Sequence, residues 1–235
     1  MTFSMRFRQT VRLAATALLL SGVAACVSAE TPRIDLASHA PNEQNRYAAL
    51  TDEPFPVPAV SLSTLKPQYR RQSVEDPTGQ PPGTIVVDPA NRYLYLVQEG
   101  GKALRYGVGV GREGMEWSGT ANVGYKRQWP RWTPTRDMIA REPEKYQTWA
   151  NGMEAGENNP LGARALYLFE NGKDTLYRIH GTNQPWSIGR SISSGCIRMM
   201  NQDIIDLYRR VPNGAKVVVL PAKGKAPADR TQSTI

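Results

Sequence analysis

From Pro82 to Leu220 the chain is cut into short β-rich runs by glycine, proline and asparagine turns, and this punctuation constrains the fold more than any other feature. Thr84 to Asp88 and Tyr93 to Val97 are β-branched and aromatic runs either side of Pro89-Ala90-Asn91-Arg92, which reads as a hairpin turn. Gly100-Gly101 supplies the next turn, and Ala103 to Val110 is a third strand whose small residues permit close approach. Ala121 to Gln128 gives another. Ala165 to Phe169 and Thr175 to His180 pair around Asn171-Gly172, a dipeptide suited to a two-residue turn because both positions accept positive φ. Lys216 to Leu220 is a final buried strand. One helix interrupts the pattern at Gln202 to Arg210, where Ile204, Ile205, Leu207 and Tyr208 form an apolar face, Asn201 is placed to cap it and Pro212-Asn213-Gly214 ends it. Thr135 to Pro160 breaks the rhythm with one short helical stretch at Asp137 to Arg141 in a polar, Gly/Asn-rich segment, as expected of a lid or substrate-binding loop. The expectation is one mainly β domain with an irregular insertion.

The ends read differently. Arg6, Arg8 and Arg12, with no acid among the first 25 residues, precede the apolar run Leu13 to Ala25, which has the form of a secretory signal and is too short to span a bilayer. Val23-Ala24-Ala25-Cys26 resembles the lipobox of bacterial lipoproteins, which would acylate Cys26 and tether the chain to a membrane. Cleavage after Val27-Ser28-Ala29 would instead remove Cys26; lipidation is the favoured of the two readings. Half of the 18 prolines, from Pro32 to Pro82, crowd the next stretch, which suggests an extended, semi-stiff spacer. The expected organisation is a leader over 1–25, a spacer over 26–82, a catalytic domain over 83–221 and a loose polar tail over 222–235. Without the three leader arginines, 26 Lys and Arg stand against 21 Asp and Glu, a net +5. A mildly basic surface suits an anionic polymer or a membrane face. The scatter of the basic residues, the lack of a recognition motif and the export signal argue against nucleic acid.

Only two Cys and two His occur in 235 residues, and one of each falls in the window His180-Gly181-Thr182 … Ser193-Ser194-Gly195-Cys196-Ile197-Arg198-Met199. A strand end presents His180, and a small polar loop presents Cys196 just ahead of the helix. That pattern fits a thiolate nucleophile paired with an imidazole base. Backbone N–H groups around Ser194, Gly195 and Cys196 are candidate donors to an oxyanion, and Gly195 leaves room where a side chain would block substrate. No acid adjoins His180, so the Gly181 carbonyl is the candidate acceptor for its ring N–H. Arg198 reads either as a bidentate site for a substrate carboxylate or phosphate or as a structural salt bridge holding the loop. His39 lies in the spacer. One His and one Cys are too few for a zinc site, and neither metal nor cofactor is implied.

These residues, with Asn159-Pro160-Leu161-Gly162, Arg164-Ala165 and the first strand Pro82 to Asp88, closely resemble the signature of the L,D-transpeptidases, the YkuD-domain enzymes of bacterial cell walls. The resemblance spans about residues 83 to 220. It implies a β-sandwich-like catalytic domain with its site in a cleft under a cap, Cys196 as nucleophile, His180 as proton acceptor and donor, and Gly181 as the carbonyl that orients His180. It also implies a substrate, the tetrapeptide stem of peptidoglycan, from which D-Ala is released as a thioester acyl-enzyme forms; an amine then resolves the thioester. The amine would come from another stem, an outer-membrane protein or a free D-amino acid. Ser194 stands where many relatives have a second His, which leaves His180 as the base. A hydrolase using water with the same pair, acting as a peptidoglycan or lipoprotein-link endopeptidase, is the alternative; a non-catalytic wall-binding lipoprotein is opposed by the intact His180 and Cys196. Val27 after Cys26 resembles an outer-membrane sorting signal, so the expected location is the periplasm, on a lipid anchor.

Overall fold

The computed structural model describes residues 43–111, 117–192 and 196–222. The leader, Cys26, Ser194, Gly195 and the end of the polar tail therefore lie outside the described residues.

The expected β-rich runs form strands, the run Ala103 to Val110 as two, and three short strands stand at 72–75, 191–192 and 197–198 where none was expected. They are β1 (Gln72–Glu75), β2 (Ile85–Asp88), β3 (Tyr93–Val97), β4 (Lys102–Gly107), β5 (Gly109–Gly111), β6 (Gly119–Gln128), β7 (Arg164–Glu170), β8 (Lys173–His180), β9 (Ser191–Ile192), β10 (Ile197–Arg198) and β11 (Lys216–Val219). They join in the order β1-β4-β3-β2-β11-β6-β7-β8-β10-β5-β9. β2 and β11 are central and buried, which is why both read as unbroken aliphatic runs; β11 runs parallel to β2 and antiparallel to β6. The turns follow from local chemistry. Asn171 and Gly172 both take positive φ between β7 and β8. In the β2–β3 turn the Asp88 carboxylate accepts from the backbone N–H and the side-chain amide of Asn91.

One strand closes the sheet on itself. β4 and β5 are separated only by Val108, yet β4 pairs with β3 while β5 pairs with β10, near the opposite end of the strand order. The strand Lys102–Gly111 therefore passes from one wall to the other, and the walls enclose the main apolar core. Leu94, Tyr106, Val110, Val123, Leu166, Leu168, Ile179 and Val217 fill it. A mainly β fold is what the turn spacing led one to expect, and a β-sandwich-like one is what the family resemblance implied.

The helices are α1 (Glu43–Arg46), α2 (Arg136–Arg141), α3 (Pro143–Tyr146) and α4 (Asn201–Arg210). In α4, Ile204 and Leu207 point into the core. Its N-cap is Met200 and not Asn201, which is the first helical residue and turns its side chain to other use. In α2, Thr135 caps the helix by accepting from the Met138 N–H.

The expected spacer over 26–82 needs correction for its described part. Residues 43–82 are packed on the domain: β1 adds an antiparallel strand to β4, and Tyr47, Val57 and Leu65 are buried. Helix α4 grips this segment through polar groups. Gln202 Nε2 donates to the Ala48 and Pro58 carbonyls, and the Tyr47 hydroxyl donates to Asp203. Glu53 forms a buried ion pair with Arg164 at 2.6 Å and accepts from the Trp129 indole at 3.0 Å. The prolines suppress regular structure without preventing attachment, because single apolar side chains and backbone carbonyls can be held one at a time by the folded surface.

Candidate active site

β8 and β10 lie side by side in parallel, with Ile179 opposite Ile197 and His180 opposite Arg198. This pairing brings together the two halves of the sequence motif, since Cys196 is the residue before β10 and His180 the last of β8. Cys196 is a thiol outside any disulfide. Its backbone carbonyl accepts from the Gly111 N–H at 3.0 Å, and its S–H donates toward the Leu176 carbonyl at 3.7 Å.

The Nδ1–H of His180 donates to the Gly181 carbonyl at 2.6 Å. With Nδ1 so engaged, Nε2 is left as the basic nitrogen. His180 is 4% exposed. Burial, then the positive charge of Arg198 and more weakly that of Arg178, push its pKa down to about 3, against the opposing effect of the Gly181 bond. The imidazole is therefore neutral at neutral pH and able to accept a proton.

Two glycines and an asparagine fix that carbonyl. Asn201 Oδ1 accepts from the backbone N–H groups of Ala163 and Thr182, at 3.0 and 3.3 Å. A Cβ on Gly181 or on Gly162 would run into the Asn201 side-chain oxygen, so neither position has room for one. Gly162 also has a φ of +62°, which favours glycine. Asn201 thus ties the His180 loop to the end of the insertion. Sequence reasoning assigned it a capping role; it missed this one, which depends on backbone donors 19 and 38 residues away.

Arg198 is 8% exposed, and its Nη1 donates to Gln184 Oε1 at 2.9 Å. This bond to a neutral amide holds the 181–190 loop against β10. That loop is further fixed by Gly189 N–H donating to Val108 and by Val110 N–H donating to Arg190. The insertion meets it at Asn183, whose Nδ2 donates to the Asn158 carbonyl at 2.8 Å. Asn159 organises the insertion itself: Nδ2 reaches the carbonyls of Pro130, Met153 and Glu154, and Oδ1 accepts from Leu161 N–H. Cys196, His180, Gly181 and Arg198 are therefore brought together, while Ser194, Gly195 and Cys26 lie outside the described residues.

A family model described as the L,D-transpeptidase catalytic domain YkuD matches residues 82–219. The chain belongs to that L,D-transpeptidase family. Among curated proteins it is similar to the probable L,D-transpeptidase YbiS of Escherichia coli K12, at 35% identity over 147 residues, covering 60% of this chain and 46% of the relative. It is likewise similar to the probable L,D-transpeptidase YcfS of the same organism, at 32% over 174 residues, covering 72% and 50%. The chain spans about half the length of these curated relatives. A crystal structure from Brucella melitensis, described as a probable carnitine operon oxidoreductase, is 54% identical with a TM-score of 0.47, covering 67% of this chain and 97% of that one. That description is of the Brucella protein; the family assignment here rests on the domain match and the curated relatives.

Proposed function

We propose that the protein is an L,D-transpeptidase that acylates Cys196 with a peptidoglycan tetrapeptide stem and passes the acyl group to an amine. The observation that carries this reading is the 2.6 Å bond from His180 Nδ1 to the Gly181 carbonyl, which leaves a neutral imidazole with Nε2 as its base at the end of β8, the strand paired with β10 that begins directly after Cys196. The Cys196 S–H gives its proton to His180 Nε2 as sulfur attacks the carbonyl of the third stem residue. Backbone N–H groups around Ser194, Gly195 and Cys196 receive the negative oxygen. D-Ala then leaves as an amine, taking the proton from His180, and a thioester remains. An incoming amine loses a proton to His180 and attacks the thioester, which restores the thiol and forms the new amide.

Arg198 contributes charge next to His180 and holds the loop that carries Gln184. The leader, the lipid on Cys26 and a periplasmic location, with stem peptides or an outer-membrane protein as partner, complete the proposal. Among the described residues no helix is long and apolar enough to cross a membrane.

Incubation of the purified protein with tetrapeptide muropeptides tests the reaction. Cross-linked or D-amino-acid-exchanged products are expected; tripeptide alone would replace the transferase with an endopeptidase. Intact-mass measurement after meropenem treatment tests the nucleophile. One adduct is expected, lost in Cys196→Ala, and an adduct that persists in that variant would remove Cys196 from the role.

A further inference from the structure

β8 is not a regular strand where it passes the thiol. Its register with β7 runs from Tyr167 opposite Arg178 to Phe169 opposite Asp174, so the three residues Thr175, Leu176 and Tyr177 face Leu168 alone. Leu176 takes a φ of +62°, a left-handed conformation that costs a residue with a Cβ roughly 1–2 kcal/mol, and its side chain is 70% exposed, so burial does not repay it. The bulge is held by side chains in place of ladder bonds. Asp174 Oδ1 accepts from the Leu176 N–H at 2.8 Å, Thr175 Oγ1 donates to the Leu168 carbonyl at 2.7 Å, and Tyr177 N–H donates back to Thr175 Oγ1 at 3.1 Å. Arg178 closes it. Its guanidinium forks onto both oxygens of Asp174, at 2.7 and 2.8 Å, donates to the Tyr177 carbonyl at 2.9 Å and lies over the Tyr167 ring. The consequence is local: the Leu176 carbonyl is the acceptor for the Cys196 S–H at 3.7 Å.

We propose that the Asp174–Arg178 bulge is a positioning device for Cys196, in which a strained Leu176 presents its carbonyl to the thiol and holds the sulfur in its protonated resting state. Strain at a bulge beside a reactive group is kept where it re-aims an atom, and here the atom re-aimed is a carbonyl oxygen. An acceptor of S–H favours the neutral thiol over the thiolate, so the proton leaves only when sulfur turns from Leu176 to His180. A thiol held this way is a slower target for electrophiles and oxidants than a loose one. Lys173, Asp174, Tyr177, Arg178 and His180 on β8 and Arg198 on β10 are the titratable or charged groups of the two strands that flank the sulfur. Asp174, Thr175 and Arg178 act through Leu176 and not on substrate.

The test is iodoacetamide alkylation of the full chain across pH, read on the Cys196 peptide by mass spectrometry so that Cys26 does not contribute. Asp174→Ala and Thr175→Val each release the bulge and are expected to move the midpoint of the rate–pH curve down, with a roughly two- to tenfold faster rate at pH 6.5, the equivalent of one modest hydrogen bond. Asp174→Asn, which keeps the acceptor for Leu176 N–H, and Leu176→Gly, which keeps the carbonyl and relieves the φ strain, are expected to retain the wild-type curve. A purely structural bulge would lower the melting temperature of the first two variants without moving the curve, and that result overturns the inference. So does failure of both to fold, which would make the bulge framework and not a device. The inference rests on the proposed nucleophile only for its meaning in catalysis; alkylation reads the thiol whether or not transpeptidation is observed.

Discussion

At the scale of single residues, the site depends on small side chains as much as on reactive ones. Gly181 supplies the oxygen that fixes the His180 tautomer, and Asn201 occupies the space a larger residue would need. Gly181→Ala is expected to push Asn201 off the Ala163 and Thr182 N–H groups. The overpacking costs about 1–3 kcal/mol, and the displaced carbonyl lowers the rate of meropenem acylation by on the order of a hundredfold. Melting and adduct kinetics on one preparation check both; an unchanged acylation rate would mean that the Gly181 carbonyl does not govern the imidazole. The identities of His180 and Cys196 were legible because a chain with two of each residue places one pair in one window. The position of Leu176 was not. No local signal marks a leucine for positive φ, since the strain is imposed by side chains of its neighbours and by the mismatch with β7.

At the scale of elements, helix α4 joins the active-site strand to the N-terminal segment through charges buried between them. Asp203 is fully buried; Arg71 Nε stands 3.7 Å from its Oδ1, and Tyr47 donates to its Oδ2. Burial pushes the Asp203 carboxyl up to about 7, outweighing the attraction of Arg71. A carboxyl harder to ionise in the folded than in the unfolded chain stabilises the fold fully below its unfolded pKa near 3.8, and that contribution is lost as pH rises toward 7. Asp203→Asn keeps the shape and an acceptor for Tyr47 but removes the titration. Its melting temperature relative to the wild type is therefore expected to be higher at pH 8 than at pH 4.5, by on the order of 1–2 kcal/mol or roughly 2–6 °C. His180, whose lowered pKa makes stability rise between about pH 3 and 6.5, is common to both proteins and cancels in the difference. A constant gap across pH would show that Asp203 stays ionised when folded.

At the scale of the whole molecule, the folded unit is larger than the family match. Residues 43–81 precede the matched region, yet they contribute β1, the Glu53–Arg164 pair and three buried apolar anchors, Tyr47, Val57 and Leu65. Burying each such side chain stabilises by about 1.5–3 kcal/mol, and the sum is comparable with the roughly 5–15 kcal/mol that a whole domain retains. A chain that starts at Gly83 is therefore expected to be insoluble or to melt well below one that starts at Pro41. Circular-dichroism melting of the two decides it, and equal melting temperatures would return the segment to the role of a spacer.

The sequence by itself determined most of the strands between Thr84 and Leu220, their turns and the helix after Cys196, and it singled out one His and one Cys as the candidate pair, because each is written in near neighbours: alternation, Asn-Gly, Gly-Gly and a short motif. It misjudged the proline-rich segment, whose attachment uses isolated side chains with no period to read. Closure of the sheet by the Lys102–Gly111 strand, the reassignment of Asn201 and the strained bulge at Leu176 were decided only by the tertiary structure. Each joins groups far apart in the chain, and the energies that hold them exist only once those groups are brought together.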